Sequence, residues 1–253
     1  MATFRIASEV AELLPSLQVV VVTAKGLDNR TVNLNIHSRA QAIVEKTVAD
    51  FASKNYANAQ SHPRVALYRN TLKKVANVSS KKYPQSNESL LKRVLKEKKA
   101  GRPISPVVDF YNSISIEHAV TAGAFDLPEL RAANAPLELR LACPQEDSFV
   151  ALDASADTQP GSVDKGEILY AQGNIVLTRH MAWRQSKHAL VTEDSDEVMF
   201  MSEVINAGGV GAEPTDLSRA IAKSLQDGLR DFFGVESRVI FLGRGLGQLE
   251  VEL

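Results

Sequence analysis

With 253 residues, 44% of them hydrophobic and 23% charged, the chain has an ordinary globular composition and enough length to bury roughly three quarters of its unfolded surface without disulfide or metal staples. No apolar run approaches the roughly 18 residues of a membrane span. The single Cys143 rules out an intramolecular disulfide, and Met1–Pro15 lacks the basic start and long apolar core of a secretion signal, so a cytoplasmic, reduced setting is expected. The net charge of -1 conceals a segregation: from Arg64 to Arg102 twelve basic residues stand against Glu88 and Glu97, which leaves +10 there and -11 elsewhere. Such separation fits a polyanion-binding face, and it also fits two solvated helical faces.

In chain order, Phe4–Ile6 reads as a short strand, Ser8–Leu14 as a helical turn stopped by Pro15, and Gln18–Thr23, with its valines, as a strand buried on both faces. Ala24–Asn29 follows as a turn. Ser38 and Gln41 have capping-box spacing, and Ile43, Val44, Thr47, Val48 and Phe51 continue at helical period, predicting a helix over 38–54. Pro63 suits the first turn of another helix, with His62 at its start and Val65, Leu67, Tyr68, Leu72 and Val75 along its apolar side. The loop 79–86 presents Lys81 and Lys82 beside Tyr83. In the next helix Leu90, Leu91, Val94 and Leu95 form one stripe, and Lys92, Arg93, Lys96 and Lys99 occupy the other side. Arg69, Lys73, Lys81, Lys82, Lys92, Arg93 and Lys96 are the candidates for holding a nucleic-acid backbone.

Gly101–Pro106 reads as a joint between a helix-rich, basic portion (1–103) and a sheet-rich portion (104–253) of a single domain. After it, Val107, Phe110, Tyr111 and Ile114 recur at helical spacing, Asn112, Ser113 and Ser115 interrupt them, and Thr121–Asp126 predicts a tight turn. A buried helix that carries Asn and Ser toward a glycine turn suggests a pocket. Leu137–Leu141 alternates strictly and Ser148–Leu152 is apolar-rich, so both read as strands, with a polar loop over Asp153–Asp164. Glu167–Tyr170 and Ile175–Thr178 flank Ala171–Asn174 as a hairpin. Val198–Met201 predicts a strand and Ala207–Gly211 a glycine-rich connector. Thr215 caps the last long helix, Gly234 ends it, and Arg238–Leu242 closes the sheet. Gly243–Gly247 invites a phosphate-loop reading, but no helix follows to supply the amides.

Asn112 offers a donor and an acceptor to a ligand, or simply bends a buried helix. Trp183–Arg184–Gln185 and Thr192–Glu193–Asp194 fall in loops near the ends of predicted sheet elements, where pockets form. Arg184 suits a carboxylate or phosphate, and Glu193 and Asp194 suit an α-ammonium or a water; a salt-bridge cluster with Trp183 as packing fits the same residues. No G-x-S-x-G nucleophile signature occurs, Cys143 reads as structural, and His118 reads as a core or surface histidine. His180 and His188 lack metal-ligand spacing, so a protein without metal or cofactor is expected.

Five blocks, namely Val108–Asp109, Tyr111–Asn112, Ala124–Leu127, Trp183–Gln185 and Thr192–Asp194, resemble the tRNA-interacting middle domain of the phenylalanyl-tRNA synthetase β-subunit family, formed by that subunit's third and fourth modules. Free-standing relatives of that domain resemble the chain over nearly its full length. The resemblance implies a mixed α/β (α+β) fold, with a curled, largely antiparallel sheet flanked by helices. It implies aminoacylated tRNA as the partner and hydrolysis of wrongly charged tRNA as the activity. On that basis Asn112 and Glu193 are the candidate catalytic residues, and Tyr111, Ser113, Arg184, Gln185, Thr192 and Asp194 the candidate substrate contacts. Where the synthetase domain carries Thr before the Asn and His before Ala-Phe-Asp, this chain has Tyr111 and Gly123, and the synthetase's Gly-Gly-Glu stretch falls near Ser186 and Lys187. A trans-acting deacylase and a noncatalytic tRNA- or amino-acid-binding module are the two leading readings, with a small-molecule hydrolase as a third.

Overall fold

Val19, Val20, Val21 and Val22 are all fully buried, because the β-branched run forms the strand β2 (Leu17–Lys25) and both faces of that strand are covered. The computed structural model describes residues 2–155, 157–209 and 211–253. Met1, Ala156 and Val210 fall in the N-terminal stretch, the polar loop and the glycine-rich connector, and lie outside the described residues. Strand β2 pairs antiparallel with β8 (Glu197–Ile205) on one side and β9 (Ser237–Leu242) on the other. The short β3 (Gly123–Asp126) adds to β8, giving a four-stranded sheet in the order β3-β8-β2-β9.

A six-stranded sheet has the order β10-β1-β4-β5-β6-β7. Its strands are β1 (Thr3–Ile6), β4 (Leu137–Leu141), β5 (Ile168–Gln172), β6 (Ile175–Arg179), β7 (Arg184–Gln185) and β10 (Glu250–Glu252). All pairings are antiparallel except β1 with β4. The predicted hairpin is β5–β6, turned at Gly173 with φ +58°, a conformation that a residue without Cβ adopts at no steric cost.

The period-two alternation of the strands sorts the core into layers. Val19, Val21, Met199, Met201 and Leu242 face Phe4, Leu139, Tyr170 and Leu177 of the six-stranded sheet. On the opposite face, Val20, Val22, Val198, Phe200 and Val204 pack against Val107, Phe110 and Ile114 of α5 (Pro106–His118) and Ile221, Leu225 and Leu229 of α7 (Asp216–Phe233). A third cluster, including Val44, Phe51, Val65, Leu91, Val94 and Ile116, joins α5 to α2 (Leu34–Ser53), α3 (Pro63–Ala76) and α4 (Ser86–Glu97). Two short helices, α1 (Ser8–Leu13) and α6 (Leu127–Ala132), complete the chain. The fold is thus mixed α/β with mostly antiparallel strands and its helices concentrated early in the chain.

Several local expectations hold. The Nδ1 of His62 accepts the Arg64 amide at 3.3 Å and caps α3, while Thr215 caps α7 and Gly234 ends it at φ +67°. Others need correction. Helix α2 begins a turn earlier than Ser38, because the Asn33 side chain accepts from the amides of Asn35 and Ile36 at 3.0 and 3.3 Å. The Thr121–Asp126 turn is instead the edge strand β3, the preceding helix having ended at Ala119 with φ +53°. Ser148–Leu152 forms only isolated bridges, to Ile175, Gly161 and Ser186, and Arg184–Gln185 is a short strand rather than a loop. Gly243–Gly247 folds into a single 3-10 turn over Arg244–Leu246.

Candidate functional site

Helix α5 is held at both ends. The Ser105 Oγ accepts the Val108 amide at 3.4 Å, and the buried Asn29 accepts the Val107 amide at 2.8 Å while donating to the Thr192 carbonyl at 2.6 Å, which ties the first turn of α5 to the loop before β8. At the other end the Ser115 Oγ donates to the Val120 carbonyl at 2.5 Å. So fixed, α5 turns Tyr111 and Asn112 toward a cavity of about 310 Å³ where the two sheets meet. Trp183, Arg184 and Gln185 form another wall, and Gly123, Tyr170 and Glu203 also line it.

The polar groups here differ in how far they are already engaged. The Asn112 amide has no protein hydrogen-bond partner among the described residues, and it borders the open cavity. Burial, with the nearby Asp109 carboxylate, pushes the Tyr111 phenol up to about 12, so it remains a neutral donor. Arg184 donates through Nη2 to the Asp153 Oδ1 at 2.5 Å and lies 5.8 Å from the Trp183 ring. The Gln185 amide reaches the Ala124 carbonyl at 3.4 Å.

Sequence reasoning missed Glu203. It sits within β8, 3% exposed, where its Oε1 accepts from the Tyr170 hydroxyl at 2.7 Å and its Oε2 from the Thr121 Oγ1 at 2.5 Å. Its backbone carbonyl accepts from the Tyr68 hydroxyl. Burial raises this carboxyl above the usual range, although the Thr121 and Tyr170 hydrogen bonds pull the other way. The available signal was an acid set within a long apolar strand, where an ionisable group is rare unless paired.

The predicted set divides between neighbouring cavities. Thr192 and Glu193 line a separate cavity of about 430 Å³ with Asn29, Asn33, Ser105 and Asp109. Glu193 and Asn112 therefore do not meet. Asp194 forms an exposed ion pair with Arg30, and its amide donates to the Thr192 Oγ1 at 3.3 Å. Ser113 is buried and spends its hydroxyl on the Phe110 carbonyl at 2.7 Å. It borders a small cleft with Arg93, Lys99 and Arg102, which Asn112 also borders.

Of the basic candidates, Lys73, Lys81, Lys82, Arg93 and Lys96 are exposed. Arg69 and Lys92 are already committed: both converge on the buried Glu88, at 2.9 and 2.6 Å, with Gln60 donating to it at 3.2 Å. The Lys82 ammonium lies 4.8 Å over the Tyr83 ring. Tyr83 stacks on His180 at 3.8 Å and meets Trp183 at 4.6 Å, linking the basic loop to the cavity wall. Asp164, Glu167 and His180 are the described residues closest to a cation-binding group. They fit a metal poorly, because the Arg179 guanidinium already occupies the Glu167 carboxylate at 2.7 Å.

An α+β domain with an open, partly polar cavity between its two sheets is the class that fold and site define. Residues 69–218, more than half of the chain, match the B3/4 domain, and the chain belongs to that family. A search of curated proteins finds no match. Among solved structures the chain is similar to an N-terminal fragment of the phenylalanyl-tRNA synthetase β-subunit from Pyrococcus horikoshii, with 11% identity and a TM-score of 0.37, covering 93% of this chain and 52% of that one. The chain therefore spans about half the length of that fragment. No helix among the described residues is long and apolar enough to cross a membrane.

Proposed function

We propose that this chain binds the acylated end of a tRNA and hydrolyses the ester of a wrongly attached amino acid in trans. Membership of the B3/4 family supports a tRNA-related role. The observation that carries the finer reading is the 310 Å³ cavity in which the unpartnered Asn112 amide and the Arg184 guanidinium share a lining with the buried Glu203 carboxyl. Its volume suits an amino-acid side chain. The exposed Lys73, Lys81, Lys82, Arg93 and Lys96 would hold the RNA backbone.

In this reading a water oxygen adds to the ester carbonyl carbon, the Asn112 amide and Tyr111 hydroxyl donate to the developing oxyanion, and the ribose oxygen leaves with a proton. A positioned water suffices: a thousandfold acceleration asks for about 4 kcal/mol. Glu203 serves as the counter-ion of the incoming α-ammonium, whose charge favours the ionised carboxylate against the effect of burial. A Cβ built on Gly123 would meet nothing within 4 Å, so this wall leaves room where the resembling synthetase domain carries His. A noncatalytic aminoacyl-tRNA binder is the second reading, favoured by one observation: no carboxylate beside Asn112 is free to act as a base among the described residues, since both Glu203 oxygens are taken by hydroxyls and Glu193 lines the other cavity.

The test is release of labelled amino acid from a panel of correctly and wrongly charged tRNAs. Selective release is expected, lost in Asn112→Ala and in Gly123→Phe, which narrows the cavity while removing none of its polar side chains. Glu193→Ala probes the neighbouring cavity, and loss of release there as well would mean that one substrate spans both. Binding of tRNA with no release by the unmodified protein would replace the hydrolase with the binding module.

A further inference from the structure

We propose that a separate cavity, between the C-terminal end of α2, the start of α3 and the end of α5, binds a phosphate group through Arg64 and His62. This cavity measures about 280 Å³ and shares no lining residue with the Asn112 cavity. Nothing in the proposed deacylation uses it.

Arg64 carries the argument. Its Nη1 is buried and has no hydrogen-bond partner, and no carboxylate pairs with it among the described residues. The acids nearby are committed elsewhere: Asp50 to Lys54 at 3.8 Å, and Glu117 to Arg39 at 2.6 Å. A half-buried guanidinium with an orphaned donor is costly unless an anion completes it, and its planar fork matches the oxygens of a phosphate.

His62 adds a second donor of known orientation. Its Nδ1 accepts the Arg64 amide, so the neutral ring carries its proton on Nε2. The ring is fixed by stacking on Phe51 at 5.5 Å, with Tyr56 edge-on at the same distance. Burial is the main cause that lowers the His62 pKa, and Lys54 and Arg64 lower it further against Asp50. At His118, which also lines the cavity, burial again leads, and Glu117 opposes Arg39, Arg64 and Lys46. Both imidazoles are thus held toward the neutral form, in which the His62 Nε2–H donates to a phosphate oxygen.

Inorganic phosphate is the probe, titrated against the whole chain by thermal shift at constant ionic strength set with chloride. Saturable stabilisation is expected, weakened about tenfold or more in Arg64→Gln, which loses a charge-assisted bond, and kept in Lys74→Gln on the exposed side of α3. A short single-stranded RNA that competes with phosphate would identify the ligand as an RNA phosphodiester, and one that does not would identify a small phosphorylated molecule; the site stands in either case. Should Arg64→Gln fail to fold, the ring resonances of His62 and His118 in the unmodified protein must move with phosphate. No saturable shift beyond that of chloride, an unchanged response in Arg64→Gln, or unmoved ring resonances would overturn the site.

Discussion

Replacing Gly228 by alanine adds one methyl group in a place with no room for it. Gly228 is buried on α7 where that helix crosses α5, and a Cβ there would lie 2.2 and 2.5 Å from ring carbons of Phe110. Phe110 cannot easily retreat. It is fully buried, with the rings of Phe233, Phe200 and Phe232 at 5.7, 5.9 and 6.2 Å. Overpacking of this kind costs roughly 1–3 kcal/mol or more, while alanine returns about 1 kcal/mol of helix propensity. Contacts of 2.2 and 2.5 Å belong to the upper part of that range, about 2–3 kcal/mol, so a net loss of about 1–2 kcal/mol is expected, which for a chain of this size lowers Tm by roughly 2–8 °C. Thermal and urea unfolding measure it. Phe110→Leu removes the obstructing ring, so the double variant should lose less than the two single variants added together. A Gly228→Ala protein as stable as its parent, or strict additivity in the double variant, would refute the packing argument.

Two further predictions use the buried carboxyls. Burial works against the charge on Glu88, but hydrogen bonds from Lys92, Arg69 and Gln60 outweigh it and hold this carboxyl below its ordinary range. Its contribution is therefore present above the ordinary carboxylate pKa and lost as pH falls through the depressed folded value. Glu88→Gln should cost roughly 1–3 kcal/mol at neutral pH, discounted because Arg69 and Lys92 are partly exposed. That deficit should shrink on acidification below about pH 5, and urea titrations at stepped pH values would show it; a deficit independent of pH would contradict the assignment. Glu203 has the opposite sign: burial raises its folded pKa. The stabilisation from its bound proton is complete below the ordinary carboxylate range and is lost as pH rises through the raised value. Glu203→Gln should therefore gain stability relative to the parent as pH rises above the ordinary carboxylate range, and parallel pH–stability curves would rule this out.

Elements governed by neighbours in sequence are legible from residue order alone. The Thr215 cap, the Gly234 stop, His62 ahead of Pro63 and the β5–β6 hairpin all rest on contacts within a few residues. The start of α2 is not legible in the same way, because Ser38 and Asn33 are both competent caps, and only the fold decides which amides come within reach. Gly123–Asp126 resembles a turn for a similar reason. A strand of that length exists through its partner, and the partner is β8, far along the chain.

The sequence by itself determined the mixed α/β class, the segregation of charge, and the motif blocks that fit the B3/4 family. Those properties are carried by composition, periodicity and short motifs, and each is complete within a local window. Only the tertiary structure decided which groups share a cavity. It separated Asn112 from Glu193, brought Glu203 to Tyr170 and Thr121, withdrew Arg69 and Lys92 onto Glu88, and left Arg64 without a counter-ion among the described residues. These outcomes depend on strand register and helix crossings set by packing between distant segments, and residue type alone does not encode which distant partner will meet it.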